Sequence, residues 1–597
     1  MKSLLAWLDD RLGWRAARGI LLDEGIPGGA RFAYVFGSGL LLLMALQFLT
    51  GLVLACFYAP SVRTAWESVW FIEEQVWLGS LLRGMHHHGA SVFMVLLLLH
   101  MLQVVIYGAY RRPREVTWLL GLLLSQVVLA FALTGYLLPW DERGFGATKV
   151  ATGILAITPG AGAALERLAL GGSDYGQLTL TRFYAIHVLV LPAALVGLVA
   201  LHLWSMRRHG VLAAPGLSDE KAAQEEPFWP GQALRDVLLA GLLIALLYGL
   251  ARHFPAPLTA PADPSSDFPA RPEWYFLPLF QLLKLELFQG SREVIGSHFL
   301  PGAIGLFLAA LPFLDRSKER GTKSRRWIFG CLAALFLGAL LLAMSAVVQD
   351  AGDLSYKNKS ILAEERAGEA RRLARRGIPP TGALTMLRRS AYAGASIFRA
   401  RCAGCHRGER RKAPALEGYL HRDWVAGLIL DPNHDRYFGR TKLGKEEGME
   451  ANPKLSFEQR RQLADFLLRQ GEKSSRKAGA TLFAAQDCGD CHELKQDLAC
   501  TGPNLFDYGS RDWLTRLVKR PGGFLHYGEN STMPAFGGEL SEDEVAAVVS
   551  DLMGFRKTRP APPPPSPPKK PSKAKPKASR GERGRGGRRG DSSPRRR

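Results

Sequence analysis

A chain of 597 residues with 47% hydrophobic content and a formal net charge of +22 is too long for one compact domain and must combine several modules. Its seven cysteines do not indicate a disulfide framework at this length. The apolar residues are gathered into long runs, which excludes a wholly soluble protein.

The first 30 residues, beginning MKSLLAWLDDRLGWRAARGILLDEG, are amphipathic and charged and have no cleavage-type end, so residues 1–30 read as an interfacial helix. Hydropathy then marks seven spans near 32–57, 79–107, 116–139, 180–205, 234–253, 298–315 and 327–348, each about as long as a hydrocarbon core requires. The basic connections YRRPR (110–114), MRRHG (206–210) and DRSKERGTKSRR (315–326) fall on the side of the N-terminus, which the positive-inside rule makes the cytoplasm. Whatever follows the seventh span then lies outside.

Ionisable groups at membrane depth are costly and mark function. The stretch LLRGMHHHGASVFMVLLLLHMLQ (81–103) carries four histidines. His86 and His100 are 14 residues apart, which returns to within about 40° of one helix face after a rise of about 21 Å. His87 and His88 are turned well away from that face and are assigned to a loop, lipid headgroups or the helix start. LTLTRFYAIHVLVLPAALVGLVALHLW repeats the arrangement, with His187 and His202 separated by 15 residues. One histidine in an apolar helix is ordinarily a satisfied core residue. Two helices with matched pairs supply two bis-imidazole stations across the bilayer, the axial ligand sets of two non-covalent b haems. His86 pairs with His187 nearer the outside, and His100 with His202 nearer the inside.

Residues 351–390 form a charged linker, helical in part over ILAEERAGEARRLARR, that gives the following domains reach. CAGCH (402–406) and CGDCH (488–492) are attachment signatures for covalent c haems. Cys402 and Cys405, and Cys488 and Cys491, bind the porphyrins, while His406 and His492 bind iron. Such haems are attached outside the bacterial inner membrane, so topology and motif agree. Residues 391–470 and 471–556 read as two copies of one helical unit, opening AGASIFRARCAGCH and AGATLFAAQDCGDCH and closing on helices that start LSFEQ and LSEDE. Ser456 with Gln459 and Ser541 with Glu544 have capping-box spacing. Met449 and Met533 are the expected sulfur ligands, with His434 a competitor in the first copy. Cys56 and Cys331 read as small apolar residues, and Cys500 has no assigned role. The tail 557–597 holds 15 Lys or Arg against two acidic residues and cannot bury a core, so it reads as disordered. Its outer location argues against nucleic acid and for lipid, wall polymer, an acidic partner or plain solvation.

The strings RGMHHHGAS, TGYLLPWDERGFGATK, LTLTRFYAIH and RPEWYFLPLFQ resemble the cytochrome b family of quinol-oxidising cytochrome bc complexes, over nearly all of residues 1–350. The histidine spacing and three following helices are more similar to the plastid type, here with its two b subunits in one chain. That type fixes an extra haem through a cysteine where this chain has Val35, so an extra covalent haem is not expected. The tandem c units resemble the dihaem tails of some bacterial complexes. The resemblance implies that Arg83 and Arg182 pair with haem propionates, and that Gly37, Gly51, Gly121 and Gly135 clear space for the b macrocycles. It also implies that Glu273 in PEWY accepts a proton from quinol at an outer pocket, where Tyr275 shapes or hydrogen-bonds the ring.

The expected fold class is therefore all-α: a seven-span transmembrane helical bundle holding two b haems, two class I-like cytochrome c domains and a disordered basic tail. Residues 31–215 form the four-helix dihaem core and 216–350 its three-helix continuation with the PEWY loop. The expected activity is quinol:cytochrome c oxidoreduction coupled to proton translocation. Beyond the haem motifs the chain lacks the cysteine and histidine pattern of a Rieske centre. A separate Rieske iron–sulfur subunit is thus a partner, together with quinol, membrane lipid and a downstream cytochrome c or terminal oxidase. The family is dimeric, so a homodimer within a larger complex is expected. The alternatives are a quinone-linked dehydrogenase anchor and a plain transmembrane electron conduit.

Overall fold

The computed structural model describes residues 6–7, 9–11, 13, 24–172, 174–317, 323–445, 448–496 and 498–557. The interfacial helix expected over 1–30 and the disordered tail expected over 557–597 fall largely outside them. The chain divides into two compact units, residues 1–393 and 394–597.

Among the described residues, seven helices of the first unit are long and apolar enough to cross a membrane: α1 (Phe32–Ala55), α2 (Gly79–Tyr107), α3 (Glu115–Leu137), α4 (Gln177–His209), α5 (Gly231–His253), α6 (Gly290–Leu314) and α7 (Lys323–Gly352). They coincide with the hydropathy reading to within a few residues except at α6, which begins earlier because a 3-10 turn and a π segment precede its regular part. Helix α2 stops at Gly108, whose φ of 65° suits glycine, and the buried Arg325 donates to the carbonyls of Val105 and Ile106 at 2.6 and 2.8 Å. One guanidinium thus reaches two carbonyls of the last turn, of which Val105 O also accepts from Gly108 N–H at 3.0 Å. A short antiparallel pair, β1 (Gly25–Pro27) with β2 (Glu225–Pro227), ties the approach to α1 to the connection before α5.

Helix α4 contains a π segment at Ile186–Val190. Fifteen residues of ideal α-helix would leave His202 about 60° out of phase with His187. The wider π turn absorbs about one residue, so this pair faces one way as the 14-residue pair does.

The linker is docked. Helices α8 (Leu354–Ala374) and α9 (Ala383–Arg388) bury Ala370, Ala374, Ala383 and Leu387 against Trp66, Val69, Trp70, Leu258 and Ala260, and Ala367 is buried one turn earlier on α8. An alanine stripe at helical spacing lies within the charged sequence, so the segment up to residue 390 packs on the b unit and does not supply the reach expected of it. Ion pairs reinforce the seat. Arg388 meets Asp263 at 2.5 Å, and Arg366 bridges Asp263 and the buried Glu142 at 3.3 and 3.2 Å. Burial raises the Asp263 carboxyl, but hydrogen bonds from Arg388 and Ser265 outweigh it and hold the group down to about 2. A depressed carboxyl contributes stability above its unfolded value of about 3.9 and loses it only as pH falls towards 2, so the Asp263 contribution to docking is expected to be flat from pH 5 to 8. Asp263→Asn is expected to weaken docking by about 2 kcal/mol, between the exposed and buried ion-pair limits. The readout is tryptic cutting at Arg375 and Arg376, which should accelerate at least tenfold at unchanged haem content.

In the second unit both copies of the repeat fold as helical units around one continuous core that includes Phe398, Trp424, Leu463, Phe483, Trp513 and Val548. The first has α10 (Ala391–Ile397), α11 (Arg422–Leu430) and α12 (Phe457–Leu467). The second has α13 (Lys473–Ala485), α14 (Arg511–Lys519) and α15 (Glu542–Phe555). Both capping boxes, Ser456 with Gln459 and Ser541 with Glu544, are formed. The opening helices do not cross the closing helices of their own copies at the points where their glycines seat. Gly394 abuts Ala547, and Gly479 abuts Gln462.

Candidate functional site

Helix α1 packs along α2, and α3 along α4. This places the four glycines beside the four histidines. A Cβ added at Gly135 would lie 2.6 Å from His187 Cε1, at Gly51 3.1 Å from His86 Cε1, at Gly121 3.4 Å from His202 Cε1 and at Gly37 3.8 Å from His100 Cε1. Gly135 and Gly51 therefore each clear the edge of an imidazole, whereas a Cβ at Gly121 or Gly37 would sit in ordinary contact, a distinction that sequence spacing alone did not specify. The distances rank the alanine substitutions, because contact under 3.0 Å forces a shift whereas 3.8 Å is ordinary packing. Gly135→Ala is expected to displace His187 and lose most of the haem at that station, and Gly37→Ala to keep its haem. A pyridine haemochrome b-to-c ratio checks the order.

The His86/His187 pair is the better defined station. The rings of His86 and His187 have centroids 6.4 Å apart and planes at 72°. Two imidazoles sharing one iron, at a metal–nitrogen distance of about 2.0 Å each, have centroids about 6.3 Å apart, so the side chains fit a bridging haem iron. Their Nδ1 atoms lie 3.0 Å from Thr50 Oγ1 and Thr134 Oγ1. Each threonine hydroxyl donates to its own helix, to the Leu46 and Ala130 carbonyls at 2.7 and 2.8 Å. It is thereby left to accept from Nδ1–H, which leaves the Nε2 lone pair for iron. Sequence reasoning missed both threonines, although each directly precedes a singled-out glycine in the repeated LTG of α1 and α3. His87 and His88 do not join the station, and His88 Nε2 lies 2.6 Å from the Phe254 carbonyl oxygen.

Arg83 ion-pairs with Glu73 at 2.9 Å and donates to the carbonyls of Ala256 and Pro257. Arg182 donates to the Leu168 carbonyl. Arg83 thus pins the loop at Ala256 and Pro257, and Arg182 the end of the helix Gly162–Leu170.

The Glu273 carboxylate is positioned by a short zipper between distant loops. Asp141 caps the helix Glu142–Ala156 through Gly144 N–H at 2.9 Å and accepts from Thr259 N–H at 3.0 Å. Asp141 and Pro261 form an isolated antiparallel bridge, flanked by Glu142 N–H to Ala260 O and Ala262 N–H to Trp140 O. This alignment brings Arg143 to 3.4 Å from Glu273 Oε1, with its guanidinium 5.6 Å from the Tyr136 ring centre. Glu273 Oε1 is buried and has this ion pair but no hydrogen bond. Trp274 Nε1 reaches Ser91 Oγ at 3.4 Å, so the loop sits at the His86 end of α2. Burial first, then the Glu273 charge, raises the Tyr275 phenol, which remains a protonated donor. Arg143 was the residue missed here, although it stands in the quoted WDERG string.

In the second unit His406 and His492 donate through Nδ1 to the carbonyls of Pro414 and Pro503 at 2.8 and 2.9 Å. Burial lowers both imidazoles. Neutral rings with Nε2 free are what iron ligation requires, and the paired cysteines stand beside them, so these residues fit covalent c haems. Met533 packs against the core, whereas Met449 is 40% exposed. His434 Nδ1 accepts from Arg436 N–H at 3.1 Å. Cys500 Sγ lies 3.1 Å from the Gly502 carbonyl oxygen.

Facing imidazoles inside an apolar bundle, followed by two C-x-x-C-H units, define a haem-binding transmembrane electron-transfer protein. Family models agree. The one described as Cytochrome b(N-terminal)/b6/petB matches residues 91–261, and Cytochrome b(C-terminal)/b6/petD matches 261–359. Cytochrome c matches 391–470, and Cytochrome C oxidase, cbb3-type, subunit III matches 474–550. A menaquinol:cytochrome c reductase cytochrome b subunit of Geobacillus thermodenitrificans is 39% identical over 219 residues, covering 35% of this chain and 98% of the relative. Cytochrome b of Cereibacter sphaeroides is 32% identical over 361 residues, 55% of this chain and 80% of the relative. A solved structure titled Hyperthermophilic respiratory Complex III superposes with a TM-score of 0.51 at 28% identity, covering 60% of this chain and 93% of that one. The chain belongs to the cytochrome b family and is a cytochrome b/c fusion of the bc type.

Proposed function

We propose that this chain is the electron-carrying subunit of a quinol:cytochrome c oxidoreductase in a bacterial inner membrane, with its N-terminus cytoplasmic and its c units outside. The observation that carries the reading is Glu273, a half-buried carboxylate held by Arg143 at the same membrane end as the His86/His187 station. Quinol oxidation releases protons and electrons together, so it needs an acid–base group beside an electron acceptor. Glu273 receives the proton and Tyr275 donates to the ring oxygen. Two b haems on His86/His187 and His100/His202 and two c haems on the C-x-x-C-H motifs, with Met533 and Met449 as sixth ligands, supply the electron path when bound. Electrons reach the c units through a separate Rieske subunit, within a dimeric complex that passes them on to a cytochrome c or terminal oxidase and translocates protons. Arg83 and Arg182 hold the propionate ends of the macrocycles that the four glycines clear.

An anchor or plain conduit has no use for a proton acceptor at the outer end. The test is purification with partners, a quinol–cytochrome c assay with an outer-site inhibitor, and an intact mass. The expected results are inhibitor-sensitive turnover and a chain heavier than its sequence by two haem groups. Haem-replete protein that cannot oxidise quinol would return the conduit reading.

A further inference from the structure

The two c copies exchange helices. Taking Ser456 and Ser541 as equivalent N-caps, Gln462 and Ala547 each stand six residues on, and Phe466 and Asp551 ten. A Cβ added at Gly479 would meet the Gln462 carbonyl oxygen at 2.1 Å and Phe466 Cβ at 2.8 Å. A Cβ added at Gly394 would meet the Ala547 carbonyl oxygen at 2.0 Å and Asp551 Cβ at 2.9 Å. The two crossings are thus the same crossing, each made with the other copy's closing helix. Aromatic pairs repeat the relation, Phe466 with Phe483 at 5.8 Å and Phe398 with Phe555 at 5.6 Å. Phe438 of the first copy also meets Tyr527 of the second at 5.6 Å.

The connection explains the exchange. Only residues 468–472 separate α12 from α13. Five residues reach at most about 17 Å, so the second opening helix folds straight back on the helix before it. The turn is pinned by the buried Asp465, which accepts from Gln470 N–H through its carbonyl at 2.9 Å and from Arg422 and Ser475 through Oδ2 at 2.6 Å each. Arg469 and Gly471 both take positive φ, 50° and 73°, to close it. Short hinges of this kind favour exchange over separate folding.

We propose that the two c copies form one interlocked module in which Gly394 and Gly479 are positioning residues. Each seats the helix that leads to one copy's first haem cysteine, Cys402 or Cys488, on the closing helix of the other. The two attachment sites then keep a fixed separation and are lost together. This rests on reading the C-x-x-C-H motifs as haem attachments, and the experiment reports on the two separately.

A site-specific protease sequence is inserted after Gln470 in the full chain, the membrane complex is cut and washed at high salt, and fragments are stained for haem. The second copy's haem-staining fragment is expected to remain with the membrane although its peptide link is gone. In the cut chain, Gly394→Val or Gly479→Val is expected to raise its release at least tenfold. Release from the cut but unsubstituted chain overturns the interlock, as does retention in both valine variants, which assigns the hold to other contacts. An absence of haem stain in either fragment overturns instead the attachment reading.

Discussion

His86→Ala is expected to remove one b haem and leave the covalent haems in place, so that the b-to-c ratio falls by half. The His86 and His187 rings face each other 6.4 Å apart, and each is turned by its own threonine. Loss of one imidazole leaves His187 without its partner across the iron, and alanine offers no replacement ligand. His100 and His202 lie a full station away on the same helices, so a haem held there should keep its spectrum. Thr50→Val provides a graded control. It keeps both ligands and removes only the Nδ1 acceptor, and outer-shell changes of this kind typically cost about 10–100-fold in metal-site affinity. Pyridine haemochrome ratios on purified protein separate the outcomes. An unchanged ratio in His86→Ala would remove the pairing, and a threonine variant as damaging as the alanine would assign the effect to helix packing.

Glu273→Gln should lower quinol turnover by about 10²-fold, the typical contribution of one positioned acid–base group. The amide keeps the size and a hydrogen-bonding oxygen but cannot take up a proton. It also removes the charge facing Arg143 at 3.4 Å. Arg143→Gln therefore separates two effects: if Arg143 acts by holding the carboxylate in place, its loss shifts the pH profile and weakens turnover less than loss of Glu273 itself. Reduction of the b haems by quinol, with the inner site blocked, isolates the outer reaction from later steps. Unaltered outer-site kinetics in Glu273→Gln from pH 5 to 9 would exclude the carboxylate from the chemistry and favour the conduit.

The stations were legible because their information is local. Histidine spacing, a 20-residue apolar run and C-x-x-C-H each sit within one element, and helix periodicity converts sequence distance into direction. The same holds for the capping boxes, both of which form where serine stands three residues before Gln459 or Glu544. The 15-residue spacing in α4 marks where local reading stops, because the π segment that restores its phase gives no separate signal in the residues Ile186–Val190.

What the sequence determined by itself was therefore the inventory and its order: the spans, the four membrane histidines, the two haem-attachment motifs and the carboxylate in PEWY. Tertiary structure alone decided the contacts between segments that share no pattern. Arg143 meets Glu273 across 130 residues because a loop bridge between Asp141 and Pro261 aligns two segments with no shared pattern. The charged linker docks because Arg366 and Arg388 find Asp263, about 100 and 125 positions away, beneath an alanine stripe too sparse to read as an apolar face. Which closing helix receives which opening helix was undetermined in the same way. Both copies present equivalent surfaces, and the choice follows from the length of a five-residue turn and the closure of one shared core.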